Sequence, residues 1–536
     1  MTDLKRLRKR ADRAFAYRDR WDRILRDVYD YVIPYRNAGV HLARSQERVD
    51  AVFDGTAVKA AMRFAGRMQT DFTPVGEPFF ALEAGPGFKA RFKDQVPELN
   101  TWLQGVSASC HAALVGGNFD MAAHEMYTDL FAGTGAMLIG RGDQPGTVHC
   151  QSIPIYELGL EVGPNGNLWG RYWRKSFPAE QLPDLWPDGR FGDRLGEMID
   201  KEGDKPVTIM QAVVWNPKAR LWELTVYCAD QNADDRDARA IFSETYTVSP
   251  LITPRFFVVP GETMGRGPAM MALPQIRVVN KTRELALRAA GLALLGVWMR
   301  RQDAAFNTDT ARFTPGAMIE VTSTGGIMGP ALQRLDIPAN FDISSFVMND
   351  ERENLKMMLL DESLPPESGA VRSATEIMER MKRLNQDLGG VLGRLTYEII
   401  RPVVQRVISI LAEDRVIETQ VEINHLWNDI RITSPIASSI SANKAKSLVD
   451  WVTVVQTLVG PDKAIAICKL EEAMPEIGRW MGVDEQFIRS DDEAQTLQAL
   501  VQNLVAQGVD QALAGMQGGG GADMGGGPVA ANGAAI

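Results

Sequence analysis

Apolar side chains recur at steps of three and four over much of the chain, and that spacing predicts helices. In RAFAYRDRWDRILRDVYDYVI, the residues Phe15, Trp21, Ile24, Leu25, Val28 and Val32 fall on one helical face. VFDGTAVKAAMRFAGRMQTDF (52–72) repeats the pattern, with Asp54 or Thr56 as its cap and small residues that permit close packing. Between 78 and 260 the texture changes, and a helical patch near 97–137 lies among strand-like runs. IYELGLEVGPNGNLWGRYWRKSF (155–177) is two such runs joined by Gly-Pro-Asn-Gly-Asn, a hairpin signal. VTIMQAVVWNPKARLWELTVYCAD (207–230) repeats the scheme around a Trp-Asn-Pro-Lys turn. No strand–helix–strand alternation occurs, so the predicted class is an antiparallel α+β fold.

A helix with weak periodicity is predicted over 265–300, followed by a polar, strand-like stretch over 301–338. A second helix covers 341–360, with Ile343, Val347, Leu355 and Leu359 on one side. SLPPESGAVRSATEI (363–377) then makes an irregular loop that stops at Ser373-Ala-Thr-Glu376, a capping box that opens a long helix. Its apolar positions are Ile377, Met381, Leu384, Leu388, Val391, Leu395, Ile399, Val403, Val407 and Ile410. Such an element would run roughly 55 Å at 1.5 Å per residue. Gly389, Gly390 and Gly393 weaken its middle and Pro402 removes an amide, so a kink is expected near 390–402. Residues 440–515 are again helical in pattern, and 516–536 form a Gly/Ala tail expected to be disordered.

The 536-residue length suggests two to four domains or layers, and 45% hydrophobic with 24% charged residues is ordinary for a folded soluble chain. A formal charge of −10 argues against tight or sequence-specific DNA binding, though not against loose contact with DNA held by other means. Residues 1–70 are an exception, since basic residues outnumber acidic ones in the opening helix. That excess reads as a solvated helix face or as a contact with phosphate or an acidic partner. Cys110, Cys150, Cys228 and Cys468 are scattered without pairing, which fits neither a zinc site nor a disulfide framework and suggests a reducing compartment. MTDLKRLRKRADRAF lacks the apolar core of a signal peptide. The longest apolar run, AAGLALLGVWM (289–299), is about half of the ~20 residues a membrane span requires. A soluble protein made inside the cell is expected.

Signatures of chemistry are missing. GETMGRGP (261–268) has glycines but no Lys-Ser/Thr to complete a phosphate-binding loop, and reads as a turn before the long helix. His124-Glu125 lacks the second histidine of a zinc protease motif and reads as a structural pair. DQNADDRDARA (230–240) lacks the spacing of a calcium loop. No Gly-x-Ser-x-Gly elbow is present. No catalytic residue, metal ligand or cofactor site is predicted, and an enzyme is not expected.

The order of elements, together with WDRILRDVYDYVIP (21–34), VFDGTAVKAAMRFAGRMQTDFTPVGEPFF (52–80), ITPRFFVVPGETMGRGP (252–268) and RSATEIMERMKRLNQDLGGVLGRLTYEIIRPVVQRVISIL (372–411), resembles the portal, or head-to-tail connector, proteins of short-tailed bacteriophages. The resemblance spans about residues 10 to 500. It implies a phage portal fold: an α+β wing (1–264), a first stem helix (265–298), a β-containing clip (299–339) and a second stem helix (340–361). A tunnel loop (362–373), a long kinked wing helix with its following segment (374–439), a helical crown (440–515) and the tail (516–536) would complete it. By the same resemblance, copies would form a homo-dodecameric ring at the unique vertex of the virion capsid, assembled in the host cytoplasm. The loop residues Pro365, Pro366, Glu367, Ser368, Gly369 and Arg372 would face double-stranded DNA in transit, without sequence preference, during packaging and ejection. The terminase large subunit, a tail adaptor, and the major capsid and scaffolding proteins would be its partners. ATP hydrolysis would belong to the terminase, and no membrane would be involved. A minor head or tail-tube component is the first rival, and a nucleic-acid enzyme or a host scaffold left by a prophage are further ones.

Overall fold

The structure is a computed structural model that describes residues 3–36, 52–230, 239–295, 297–300, 332–335, 341–361, 390–417, 428–433, 435–459, 474 and 477–478. Two compact units divide the chain, residues 1–436 and 437–536. The first unit is an α+β body in which, among the described residues, every strand pairing is antiparallel.

Its strands are β1 (Phe80–Ala84), β2 (Met137–Arg141), β3 (Val148–Ser152), β4 (Leu158–Val162), β5 (Leu168–Pro178), β6 (Pro206–Asn216), β7 (Leu221–Cys228), β8 (Ala240–Tyr246), β9 (Leu251–Ile252), β10 (Val297–Arg300), β11 (Leu332–Leu335) and β12 (Asn428–Ile432). Strands β4 to β8 make a five-stranded meander in sequence order, because each is joined to the next along one sheet. Both predicted hairpins lie in it. The turn between β4 and β5 needs Gly166 at φ +78°, a left-handed position that glycine occupies without strain. Between β6 and β7, the Asn216 side chain accepts from the Lys218 amide at 3.0 Å, a local turn that starts the Asn-Pro reversal. A three-stranded sheet has the order β3-β2-β9, and β1 pairs with β12 across some 350 residues of sequence.

The opening apolar pattern forms two helices, Leu4–Asp19 and Asp22–Tyr31, instead of one. The chain tightens where the Trp21 amide bonds to the Arg18 carbonyl at 2.8 Å, and the two pieces bury different faces. Phe15 joins Leu7, Ala11 and Ala14 against Tyr172, Met210, Ala212, Val214 and Tyr227 of the five-stranded sheet. Trp21, Leu25, Val28 and Val32 enter the main core, whereas Ile24 stays 38% exposed. The break falls in the six-residue step from Phe15 to Trp21, about 240° of helix turn, which carries the two residues off a shared face.

Helix Thr56–Phe72 follows as expected, with the Asp54 carboxylate accepting from the Thr56 amide at 3.0 Å although Gly55 holds the cap position. The patch near 97–137 is two helices, Val96–Val115 and Phe119–Ala132. GETMGRGP is a turn, as read from the sequence. Gly265 and Gly267 lie so close to the end of helix Phe119–Ala132 that a Cβ on Gly267 would come within 2.2 Å of the Phe131 carbonyl oxygen. Helices Leu273–Leu295 and Phe341–Met358 pack together, with β10 and β11 paired beyond the first of them. Of the second unit, helix Pro435–Val459 begins at the division, and it exposes Trp451, Val454 and Leu458. None of the helices of the described residues is long and apolar enough to cross a membrane.

Candidate functional site

The segment singled out by sequence, Pro365, Pro366, Glu367, Ser368, Gly369 and Arg372, lies outside the described residues, as do Gly389 and the Ser373 capping box. The structure does describe both flanks of that segment and the root of the two helices that precede it.

On the leading flank, helix Phe341–Met358 ends in a Schellman motif: the Asp361 amide donates to the Lys356 carbonyl at 2.9 Å and the Leu360 amide to Met357 at 3.1 Å. The motif forces Leu360 to φ +58°, where glycine is the ordinary occupant. Asp361, 9% exposed, then takes an ion pair from Arg63 at 3.2 Å. One turn back along the helix, Leu355 and Leu359 are buried. Arg352 donates through Nε to Asp54 at 2.9 Å. Asn280, on helix Leu273–Leu295, accepts from the amides of Phe53 (2.8 Å) and Asp54 (3.1 Å). The 52–56 segment therefore ties both helices to the body. Burial pushes the Asp54 carboxyl up, but hydrogen bonds from Thr56 and Arg352 outweigh it and hold the group below the usual carboxylate range.

On the trailing flank, Val391, Leu395, Ile399, Val403, Val407 and Ile410 are all buried, so the helical reading of the described half is correct to the residue. The backbone ladder changes to a π turn at Thr396–Ile400 and resumes as an α-helix at Arg401–Glu413. Pro402 sits just past the change, and its ring would collide with the carbonyl four residues back in a straight α-helix. A π turn moves that carbonyl aside. Gly390 lies on the helix with open space beside it.

Glu398, inside the π turn, accepts from both the backbone amide and the guanidinium of Arg255, each at 2.8 Å, and from Arg394 at 3.4 Å. Arg171, whose Nε donates to Thr253 at 2.9 Å, stacks over the Trp222 ring at 4.5 Å. Burial pushes its guanidinium down to about 10, with Glu398 opposing and Arg255 adding to the shift. A second tie follows on helix Arg401–Glu413. Buried Arg406 lies over the Tyr246 ring at 4.5 Å and donates to the Ile139 carbonyl at 3.3 Å. The pattern of apolar residues announced the helix and offered Asp54 as a cap, but nothing in it singled out Glu398 and Arg255, which meet across 143 positions, or Arg352 as a partner of Asp54 across 298.

Elsewhere the polar groups hold structure. Asp129, fully buried, accepts from Tyr29 and Arg36, both at 2.7 Å, and Arg36 also donates to Ser152. His124 bonds to Gln69, and Glu125 pairs with Arg36. Burial pushes the Cys110 and Cys150 thiols up to about 12, far from the nucleophilic form. Among the described residues no group of three or more His, Cys, Asp or Glu is placed to hold a metal ion.

What these elements build is a structural joint, with helices rooted by ion pairs on either side of residues 362–389. The family model for bacteriophage head to tail connecting proteins matches residues 4–488, and the chain belongs to that family. A "Probable portal protein" of Bordetella phage BPP-1 is 22% identical over 455 residues, covering 78% of this chain and 76% of that protein. Two solved structures align with TM-scores of 0.34 and 9% identity. They are titled "Virion of native gene transfer agent (GTA) particle" (80% of this chain, 93% of that one) and "Neck of empty GTA particle computed with C6 symmetry" (80% and 94%).

Proposed function

We propose that copies of this chain close into a dodecameric ring at the unique capsid vertex of a short-tailed phage. Its bore passes double-stranded DNA during packaging and ejection, and its outer end docks the terminase motor and later the tail adaptor. Membership of the connector family along residues 4–488 carries this reading. The structure adds support of a physical kind. Val278, Leu285 and Leu287 on helix Leu273–Leu295 are 45–55% exposed, as are Met357 and Met358 at the end of the following helix. Apolar side chains along paired helices are what side-by-side copies would cover.

In this ring, residues 362–373 project from the well-anchored Asp361 into the bore, with Pro365, Pro366, Glu367, Ser368, Gly369 and Arg372 toward the duplex. Anchored flanks let the loop face the channel without packing of its own. A chain with net charge −10 presents phosphates with repulsion overall, so the duplex slides, and Arg372 supplies transient contact without sequence preference. The ring performs no chemistry, and ATP hydrolysis belongs to the motor. Capsid and scaffolding proteins surround it during assembly in the host cytoplasm.

Negative-stain imaging of the purified full chain tests the reading. Flanged annular particles with a central hole are expected, and a chain that stays single, or assembles without a hollow axis, overturns it. Robust metal-dependent DNA cleavage or ATPase turnover by the purified chain would also remove it.

A further inference from the structure

The five-stranded sheet is covered on its two faces by layers of opposite charge. Helix Leu4–Asp19 lies on the face that carries Tyr172, Met210, Ala212, Val214 and Tyr227. Alternation along β6 and β7 places Val207, Ile209, Val213, Val226 and Cys228 on the other face. Those residues share a core cluster with Leu182 and Leu195 from the excursion between β5 and β6. The excursion is fastened there by the Arg190 amide, which donates to the Ile241 carbonyl at 2.8 Å.

The helical layer is basic. Helix Leu4–Asp19 holds seven Lys and Arg against two Asp. The cations turned inward are spent on the fold: Arg8 donates to the Cys228 carbonyl and lies over Tyr227, and Arg10 pairs with Glu161. At about 100° per residue, Lys5, Arg6, Lys9 and Arg13 fall on one arc of roughly 100°, opposite the buried Leu7, Ala11 and Ala14. All four are exposed, and Asp12 stands only at the border of the arc. Neither Arg6 nor Lys9 makes an ion pair with a described residue. A merely solvated face would ordinarily interleave both signs at steps of four.

The excursion is the reverse. Residues 180–205 hold eight Asp and Glu against four Lys and Arg. Two exposed ion pairs lie within it, Lys201–Glu197 at 3.8 Å and Lys205–Glu202 at 2.8 Å. Asp184, Asp188, Asp193, Asp200 and Asp204 are exposed as well.

We propose that these layers are the two halves of a contact between copies, in which the basic face of helix Leu4–Asp19 meets the acidic excursion 180–205 of the next subunit. The inference rests on the ring reading and names a surface for it. A ring needs a heterologous interface, one in which each copy offers two different and complementary surfaces. Opposite charge on the two faces of one sheet provides such a pair, and it fixes which side of a copy meets which. A nucleic-acid backbone would answer the basic layer alone and would leave the acidic layer without a role.

Three full-length proteins test it by sedimentation velocity and imaging at about 0.1 M salt: wild type, Arg6→Glu/Lys9→Glu/Arg13→Glu, and Asp188→Lys/Asp200→Lys/Asp204→Lys. Each triple variant is expected to lower the ring fraction roughly tenfold, because like-charged surfaces then face each other. A 1:1 mixture of the two variants is expected to restore rings, since each reversed face finds its complement; a variant that had only unfolded would gain nothing from mixing. If wild-type rings form and both variants assemble equally well, the interface is wrong while the ring stands. If the basic-face variant assembles normally but loses affinity for a 30-base-pair duplex, the helix faces nucleic acid and the proposal is overturned. A wild type that stays single removes the ring itself.

Discussion

Leu360 and Arg415 both sit at left-handed backbone positions at the ends of helices, φ +58° in each case, where a side chain costs about 1–2 kcal/mol. Arg415 is exposed, and the Val416 amide closes its Schellman turn on the Leu411 carbonyl at 2.9 Å. Arg415→Gly is therefore expected to stabilise the first unit by about 0.5 kcal/mol, after the extra freedom of glycine in the unfolded chain is set against the relief. Urea denaturation checks it, and a lower midpoint would refute the strain argument. Asp54 makes a different prediction. Its carboxyl is depressed below the ordinary 3.8, so its contribution is present above that value and is lost as pH falls through the lower folded-state value. Asp54→Asn is expected to cost about 1–3 kcal/mol at pH 7 and to flatten the acid limb of the melting temperature between pH 5 and pH 2. An unchanged acid limb would show that Asp54 is not the group that titrates.

At the scale of elements, strand-like runs around strong turn signals were sufficient for the hairpins 155–177 and 207–230, and apolar spacing for the buried stripe from Val391 to Ile410. Spacing failed at the junction of the first two helices. Phe15 and Trp21 read as one stripe, but they lie six apart and face different cores. It was also blind to ties at long range. Glycine and proline composition pointed to residues 390–402 as irregular, but not to the π turn or to Glu398 as its fastening. Removing that carboxylate leaves buried Arg255 and half-buried Arg394 without their shared acceptor. Glu398→Gln is expected to destabilise the first unit by about 2–4 kcal/mol. A shift in the denaturation midpoint with an unchanged slope is the measurement, and a shift worth under 0.5 kcal/mol would mean that the π turn holds without it.

At the scale of the whole molecule, the first unit carries a packed core that shields its thiols. Buried thiols at Cys110 and Cys150, raised to about 12, should react with an alkylating reagent only after unfolding, so a rapid native-state reaction would contradict the packed core. The pairing of β1 with β12 has a consequence for how the chain is made. Phe80–Ala84 leaves the ribosome well before its partner Asn428–Ile432, and synthesis of the residues between them takes roughly 17–70 seconds at 5–20 residues per second. Through that interval one edge of β1 waits unpaired in a crowded cell, so growing chains need either a chaperone or a temporary local cover, and a polypeptide cut short before Asn428 would keep that edge open for good.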